Sequence, residues 1–183
     1  MLSLSGQVGN IFTTSKESGQ EPSNLPEPLF PSSRERAPLF HLDAATGVKE
    51  AFAPRHVDGW DFRPEGNHRW GWISEEPGST ITFLVPVRQG TIHVGFLRSY
   101  ENMGCARVRI TDAFDRNLTI NSKILAGHWR RRISVFQEES IPSELGSSDS
   151  KGVLKRVNVE FSLLGACSYG NGRKFKLLSL TGY

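Results

Sequence analysis

Residues 155–163, KRVNVEFSL, alternate without a break: Val157, Val159, Phe161 and Leu163 fall on one side, and Arg156, Asn158, Glu160 and Ser162 on the other. Successive side chains of an extended chain point to opposite faces, so this stretch predicts a strand with one apolar and one wetted face. On a helix the same four apolar residues would scatter around the circumference. A strand of this kind needs a second layer over its apolar face, and a slip of one residue would turn the whole row into water. The row therefore demands a packed β structure.

The same period recurs along the chain. In STITFLVPV the residues Ile81, Phe83, Val85 and Val87 share a face, and in CARVRIT the residues Ala106, Val108 and Ile110 alternate with Arg107 and Arg109. TIHVGFL, NLTINSKIL, RRISVF and RKFKLLSL bring the expectation to about seven strands between residues 79 and 180, spaced by turn signals such as RQG, SSDSKG and YGNG. Hardly any helical period competes, and no internal repeat suggests a propeller. The expected fold is all-β, an antiparallel β-sandwich or jelly roll of the galactose-binding-like or carbohydrate-binding-module-like kind. It is expected over residues 39–183. Residues 1–38 read as an extended or disordered linker, because five prolines among Ser, Glu and Gln cannot bury enough apolar surface to offset chain entropy.

Composition sets outer limits on function. The chain has 183 residues, 37% hydrophobic and 22% charged, which is enough for one substantial core. A formal charge of +3 is too slight for nucleic acid, which needs a concentrated basic face, and the one basic run is local, Arg130–Arg132 after Trp129. No stretch approaches the roughly 20 apolar residues of a membrane helix, and MLSLSGQVGN lacks the features of a secretory signal. Cys105 and Cys167 have no zinc-site spacing. Buried free thiols are the simpler expectation for them, and a disulfide the sharper one.

Two stretches invite a ligand. Trp60, Phe62, Trp70 and Trp72 crowd thirteen residues, and such rings either plug the end of a sandwich or present flat apolar faces to a partner. At least one of them is expected to be partly exposed. In FLRSYENMGCARV, two strand-like ladders are joined by a polar knot where a two-residue turn would suffice. Arg98 has the parity of Ile92, Val94 and Phe96, so it is expected to point inward and to require a carboxylate, from Glu101 or from DGWD. Asn102 and Gly104 suit tight turns, while Tyr100 and Met103 supply apolar cover. The knot serves as a structural corner or as a ligand-facing loop. Candidate ligand-binding residues are Trp60, Trp70, Trp72, Arg98, Tyr100, Glu101, Asn102, Trp129 and Arg130.

No catalytic set accompanies them. Glu65, Glu75, Glu76 and Glu101 have no spacing that predicts a facing pair for glycoside hydrolysis. His56, His68, Asp58 and Asp61 lack ligand spacing, so neither a metal nor any other cofactor is expected. Asn117 opens NLT, a glycosylation acceptor that matters only in the secretory pathway.

RWGWISEEPGS, FLRSYENMGCARV, LAGHWRRRISV and RKFKLLSLTGY, in that order, resemble the C-terminal β-sandwich region of plant and algal SGNH-hydrolase-type (GDSL-like) proteins, and NLPEPLFP is similar to the segment that leaves their catalytic domain. The resemblance covers about residues 24–183. It implies an accessory module beside an esterase or acyltransferase domain, in the secretory pathway or at the cell surface. The GDS-like nucleophile block, the oxyanion Gly and Asn blocks and the DxxH pair of that family are absent from this chain, so no activity is implied for it. The leading expectation is a non-catalytic module that binds polysaccharide or cell-wall glycan, or positions it for an attached or separate SGNH-type domain. The alternative is a structural docking module with no ligand of its own.

Overall fold

The structure, a computed structural model, describes residues 38–66, 69–88, 90–115, 117–143, 154–167 and 171–183. The expected linker up to residue 37 lies outside the described residues, as do SSDSKG, His68 and the first half of YGNG.

Among the described residues, eleven strands build two antiparallel sheets. They are β1 (Phe40–Asp43), β2 (His56–Asp58), β3 (Asp61–Glu65), β4 (Arg69–Ser74), β5 (Thr80–Val87), β6 (Thr91–Arg98), β7 (Cys105–Asp112), β8 (Thr119–Ala126), β9 (Val135–Pro142), β10 (Lys155–Gly165) and β11 (Phe175–Gly182). Sheet A has the order β3-β4-β11-β6-β9, with β1 also on β11, and sheet B has the order β2-β5-β10-β7-β8. This is the expected all-β sandwich.

The strict alternation does what it promised. Val157, Val159, Phe161 and Leu163 are buried in one row on β10, beside Ile81, Phe83, Val85 and Val87 of β5 and Ala106, Val108 and Ile110 of β7. Ile92, Val94 and Phe96 of β6 and Phe175, Leu177 and Leu180 of β11 face them from sheet A. Phe83 meets Phe161 edge-on at 6.1 Å, and Phe96 stacks on Phe175 at 5.4 Å.

The seven strands expected between residues 79 and 180 are β5 to β11; four more precede them among the described residues, and the aromatic stretch contributes the β3–β4 pair. One expectation about strand extent needs correction. RRISVF is not one strand: β9 begins only at Val135 and continues to Pro142. Its partner-facing alternation is masked because β9 is the edge of sheet A, where Gln137 and Glu139 occupy the parity of Val135 and Ile141.

The polar knot is a crossing between layers. β6 belongs to sheet A and β7 to sheet B, so a tight hairpin turn has no place between them. The corner is pinned by backbone bonds: Ser99 N–H donates to Gly127 O at 2.9 Å and Trp129 N–H to Ser99 O at 2.9 Å. Lys174 N–H donates to Asn102 O at 2.9 Å and Gly104 N–H to Lys174 O at 2.7 Å. Asn102 has φ of 51°, a left-handed conformation that asparagine tolerates. At Gly104 a Cβ would lie 2.3 Å from Gly165 O, so only glycine permits the backbones to pass. Met103 is fully buried, as expected, whereas Tyr100 is 40% exposed and gives little cover.

Immediately beyond the corner, Cys105 and Cys167 form a disulfide with their Cα atoms 5.3 Å apart. The simpler expectation of free thiols is thereby corrected. Cys105, buried at the start of β7, and Cys167, half-buried two residues past the end of β10, are within bridging reach. Among the described residues, no helix is long and apolar enough to cross a membrane.

Candidate functional site

The outer face of sheet A carries a groove whose shape follows from one irregularity. β4 and β1 both pair with β11, β4 along Phe175–Leu177 and β1 along Ser179–Gly182, so they lie end to end with Leu178 at the gap. The register of β11 against β6 shifts between Leu177 and Ser179, a bulge that turns Leu178 away from the core. Two clefts meet there. One, about 430 Å³, is lined by Glu65, Gly66, Arg69, Leu97, Ser99, Glu101, Met103, Ser134, Lys174, Lys176 and Leu178. The other, about 380 Å³, is lined by Asp43, Ala45, Arg69, Trp70, Phe136 and Leu178. Arg69 and Leu178 belong to both, which makes the two clefts one groove.

Its polar end is a charge cluster on the outward parity of β11. Lys174 Nζ donates to Glu65 Oε1 at 2.5 Å, and Lys176 Nζ donates to Arg69 O at 2.6 Å with Glu65 Oε2 3.9 Å away. The Lys176 side chain is only 2% exposed. Gly71 makes room for its stem, since a Cβ at that position would come within 2.8 Å of Lys176 Cε. Burial lowers the Lys176 pKa, and the cations of Lys174, Arg69 and Arg63 push the same way, while the Glu65 carboxylate opposes them. Its apolar end is built by Phe136, whose ring lies over Gly95 and is 55% exposed, together with Leu178 and Trp70.

The residues singled out from sequence divide into three groups. Trp72 is 0% exposed, with Nε1 donating to Phe52 O at 2.8 Å, and Trp60 is 3% exposed and edge-on to Phe175 at 6.3 Å. Neither ring can present a face to a ligand, so both leave the candidate set. Trp70 is half-buried, stacked on Phe62 at 5.3 Å, and lines the groove. Glu101 also lines it, and accepts a hydrogen bond from Tyr100 that raises the Tyr100 pKa by favouring the protonated phenol.

The third group forms a flank around the corner. Arg98 sits at the end of β6 on the inward parity, yet among the described residues no carboxylate pairs with it: its guanidinium lies over the Trp129 ring, 4.2 Å from the centroid. An indole face replaces the acid because the backbone bond between Trp129 and Ser99 brings the ring across the end of β6. Arg98 Nε is buried without a hydrogen-bond partner, and Arg131 approaches the same ring at 5.9 Å. Asn102 and Arg130 are exposed beside this flank. Among the described residues no group of three His, Cys, Asp or Glu is arranged to hold a metal.

Sequence reasoning missed Arg69, Lys174, Lys176, Phe136 and Leu178. The lysines carried a signal, since RKFKLLSL places Lys174 and Lys176 opposite Phe175 and Leu177. Nothing in the sequence brought Glu65 to them across 109 residues.

No protein-family model matches the chain, and no curated protein matches it in sequence. Among solved structures, two crystal structures of a two-domain esterase active on acetylated mannans are similar. One aligns with a TM-score of 0.57 at 15% identity, over 92% of this chain and 42% of that one. The other, co-crystallised with mannopentaose, aligns with a TM-score of 0.55 at 16% identity, over 87% and 39%. A family 6 carbohydrate-binding module from Clostridium cellulolyticum, in complex with xylose, overlaps more loosely, with a TM-score of 0.44 at 13% identity over 78% of this chain and 95% of that one. The chain spans about two fifths of the two-domain esterase, and the likeness is one of fold.

Proposed function

We propose that this chain is a non-catalytic β-sandwich module that binds polysaccharide along the outer groove of sheet A and positions it for an SGNH-type esterase or acyltransferase domain. The observation that carries the reading is the composition of the groove. Trp70, Phe136 and Leu178 offer apolar surface at one end, and Arg69, Ser99, Glu101, Ser134 and Lys174 offer donors and acceptors at the other. A pyranose ring presents the matching pair, a C–H face and a rim of hydroxyls. Each sugar hydrogen bond replaces one to water and nets about 0.5–1.5 kcal/mol, so affinity for a short oligosaccharide is weak and rises with the number of rings engaged. β-Mannan is the first polysaccharide to test, because the esterase of similar fold acts on acetylated mannans.

A docking module is the second reading, favoured by the length relation: this chain matches about two fifths of a two-domain enzyme. In that case Phe136 and Leu178 are covered by a catalytic domain. Affinity electrophoresis through gels containing mannan, xylan or cellulose separates the two. Retardation that weakens in Arg69→Ala and Phe136→Ala supports glycan binding. Unretarded migration in every gel, with the same substitutions weakening capture of an SGNH-type domain, replaces it with docking.

A further inference from the structure

The turn between β7 and β8 holds the chain's sole Asn-x-Ser/Thr sequence, Asn117-Leu118-Thr119. This turn is braced from within. The Asp112 carboxylate accepts from Phe114 N–H at 2.7 Å and from Asp115 N–H at 3.1 Å, and the Asp115 carboxylate accepts from Asn117 N–H at 3.0 Å. Backbone bonds from Asp112 N–H to Leu118 O at 3.2 Å and from Leu118 N–H to Asp115 O at 3.1 Å close it. Phe114 takes no part in that bracing through its ring, which is 92% exposed. A single exposed apolar side chain needs no explanation in general. This one sits three residues before an exposed glycan acceptor, in the same β7–β8 turn.

The disulfide between Cys105 and Cys167 supplies the second, independent observation, because such bonds form and persist in oxidising compartments, where asparagine is glycosylated. We propose that Asn117 carries an N-linked glycan and that Phe114 is the platform on which its first sugar rests. In the transfer, the Asn117 amide nitrogen bonds to the anomeric carbon of a polyprenyl-diphosphate-linked oligosaccharide. The carbon–oxygen bond to diphosphate breaks, diphosphate leaves with that electron pair, and the amide nitrogen gives up one proton; nothing is oxidised or reduced. Phe114 then covers a C–H face of the attached sugar, which shields both from water. The turn lies a full strand of β7 away from the corner, about 25 Å, so the glycan leaves the sheet A groove open.

The test is secretion of the full chain from a eukaryotic host behind a cleavable leader, followed by intact mass and peptide mapping with and without peptide N-glycosidase. Wild type is expected to carry one glycan at Asn117, Thr119→Ser to keep it, and Asn117→Gln and Thr119→Ala to lose it. Enzymatic removal is expected to lower the wild-type melting temperature by about 2–4 °C and to leave that of Phe114→Ala unchanged. Recovery of the secreted, disulfide-bonded wild type with unmodified Asn117 overturns the site. Equal melting shifts in wild type and Phe114→Ala, or none in either, overturn the platform role.

Discussion

Trp70 and Trp72 are two residues apart on β4, and replacing each by alanine has different consequences. Trp72 is fully buried, packed on Phe62 at 5.4 Å and bonded through Nε1 to Phe52 O. Deleting a buried Trp ring costs about 3–5 kcal/mol. The orphaned Phe52 carbonyl adds about 1 kcal/mol. A total of about 4–6 kcal/mol is a large share of the roughly 5–15 kcal/mol that holds an ordinary domain together. At about 2–4 °C per kcal/mol for a domain of this size, melting falls by roughly 10–20 °C. Trp70 is half-buried, and its stack on Phe62 is worth about 1 kcal/mol beyond area. With about 1–2 kcal/mol for its covered surface, Trp70→Ala costs roughly half as much as Trp72→Ala. Urea midpoints measure that ordering, and affinity electrophoresis of the folded proteins measures the other axis. Trp70→Ala lowers retention on polysaccharide; Trp72→Ala leaves retention per folded molecule unchanged. Equal stability losses, or a retention defect confined to Trp72→Ala, would refute the division of the aromatic stretch into core and groove.

The Cys105–Cys167 bond closes a loop of about 62 residues, so Cys105→Ser with Cys167→Ser lowers unfolding free energy by about 4 kcal/mol in the loop-entropy account; an unchanged urea midpoint contradicts it. Lys176 tests the buried charge. A lysine whose pKa is depressed in the fold weighs against folding while it is protonated in both states, and the burden lifts as pH rises through the folded value toward the ordinary 10.5. Lys176→Met is therefore more stable than wild type near neutral pH, with the difference shrinking as pH approaches 10.5. A difference that widens over that interval reverses the sign of the effect.

Fold and site were legible to different depths. Strands with one apolar face, β5, β7 and β10, announced themselves because a core row at period two has no other explanation. β9 did not, because an edge strand tolerates Gln137 and Glu139 on the parity a central strand reserves for apolar residues. Trp60, Trp70 and Trp72 stand out as a group, yet composition alone does not say which ring is sealed; Trp70 and Trp72 share one parity on β4, and the cover of Phe52 over Trp72 separates them. The polar knot was correctly marked as special, though its cause, a change of sheet between β6 and β7, is a property of topology. The charge cluster of Glu65, Lys174 and Lys176 was the least visible part, because it depends on β3, β4 and β11 lying side by side.

The claim that glycan lies along the outer face of sheet A is tested most directly by the four tryptophan indole N–H signals in a nitrogen–proton correlation spectrum, followed during titration with a β-manno-oligosaccharide. Trp70 lines the groove, whereas Trp60 and Trp72 are sealed in the core. The account predicts a saturable shift of the Trp70 indole, accompanied by backbone amides of Phe136 and Leu178, with Trp60 and Trp72 unmoved. Saturable shifts confined to the outer face of sheet B, around Arg109, Asn158 and Glu160, would contradict it.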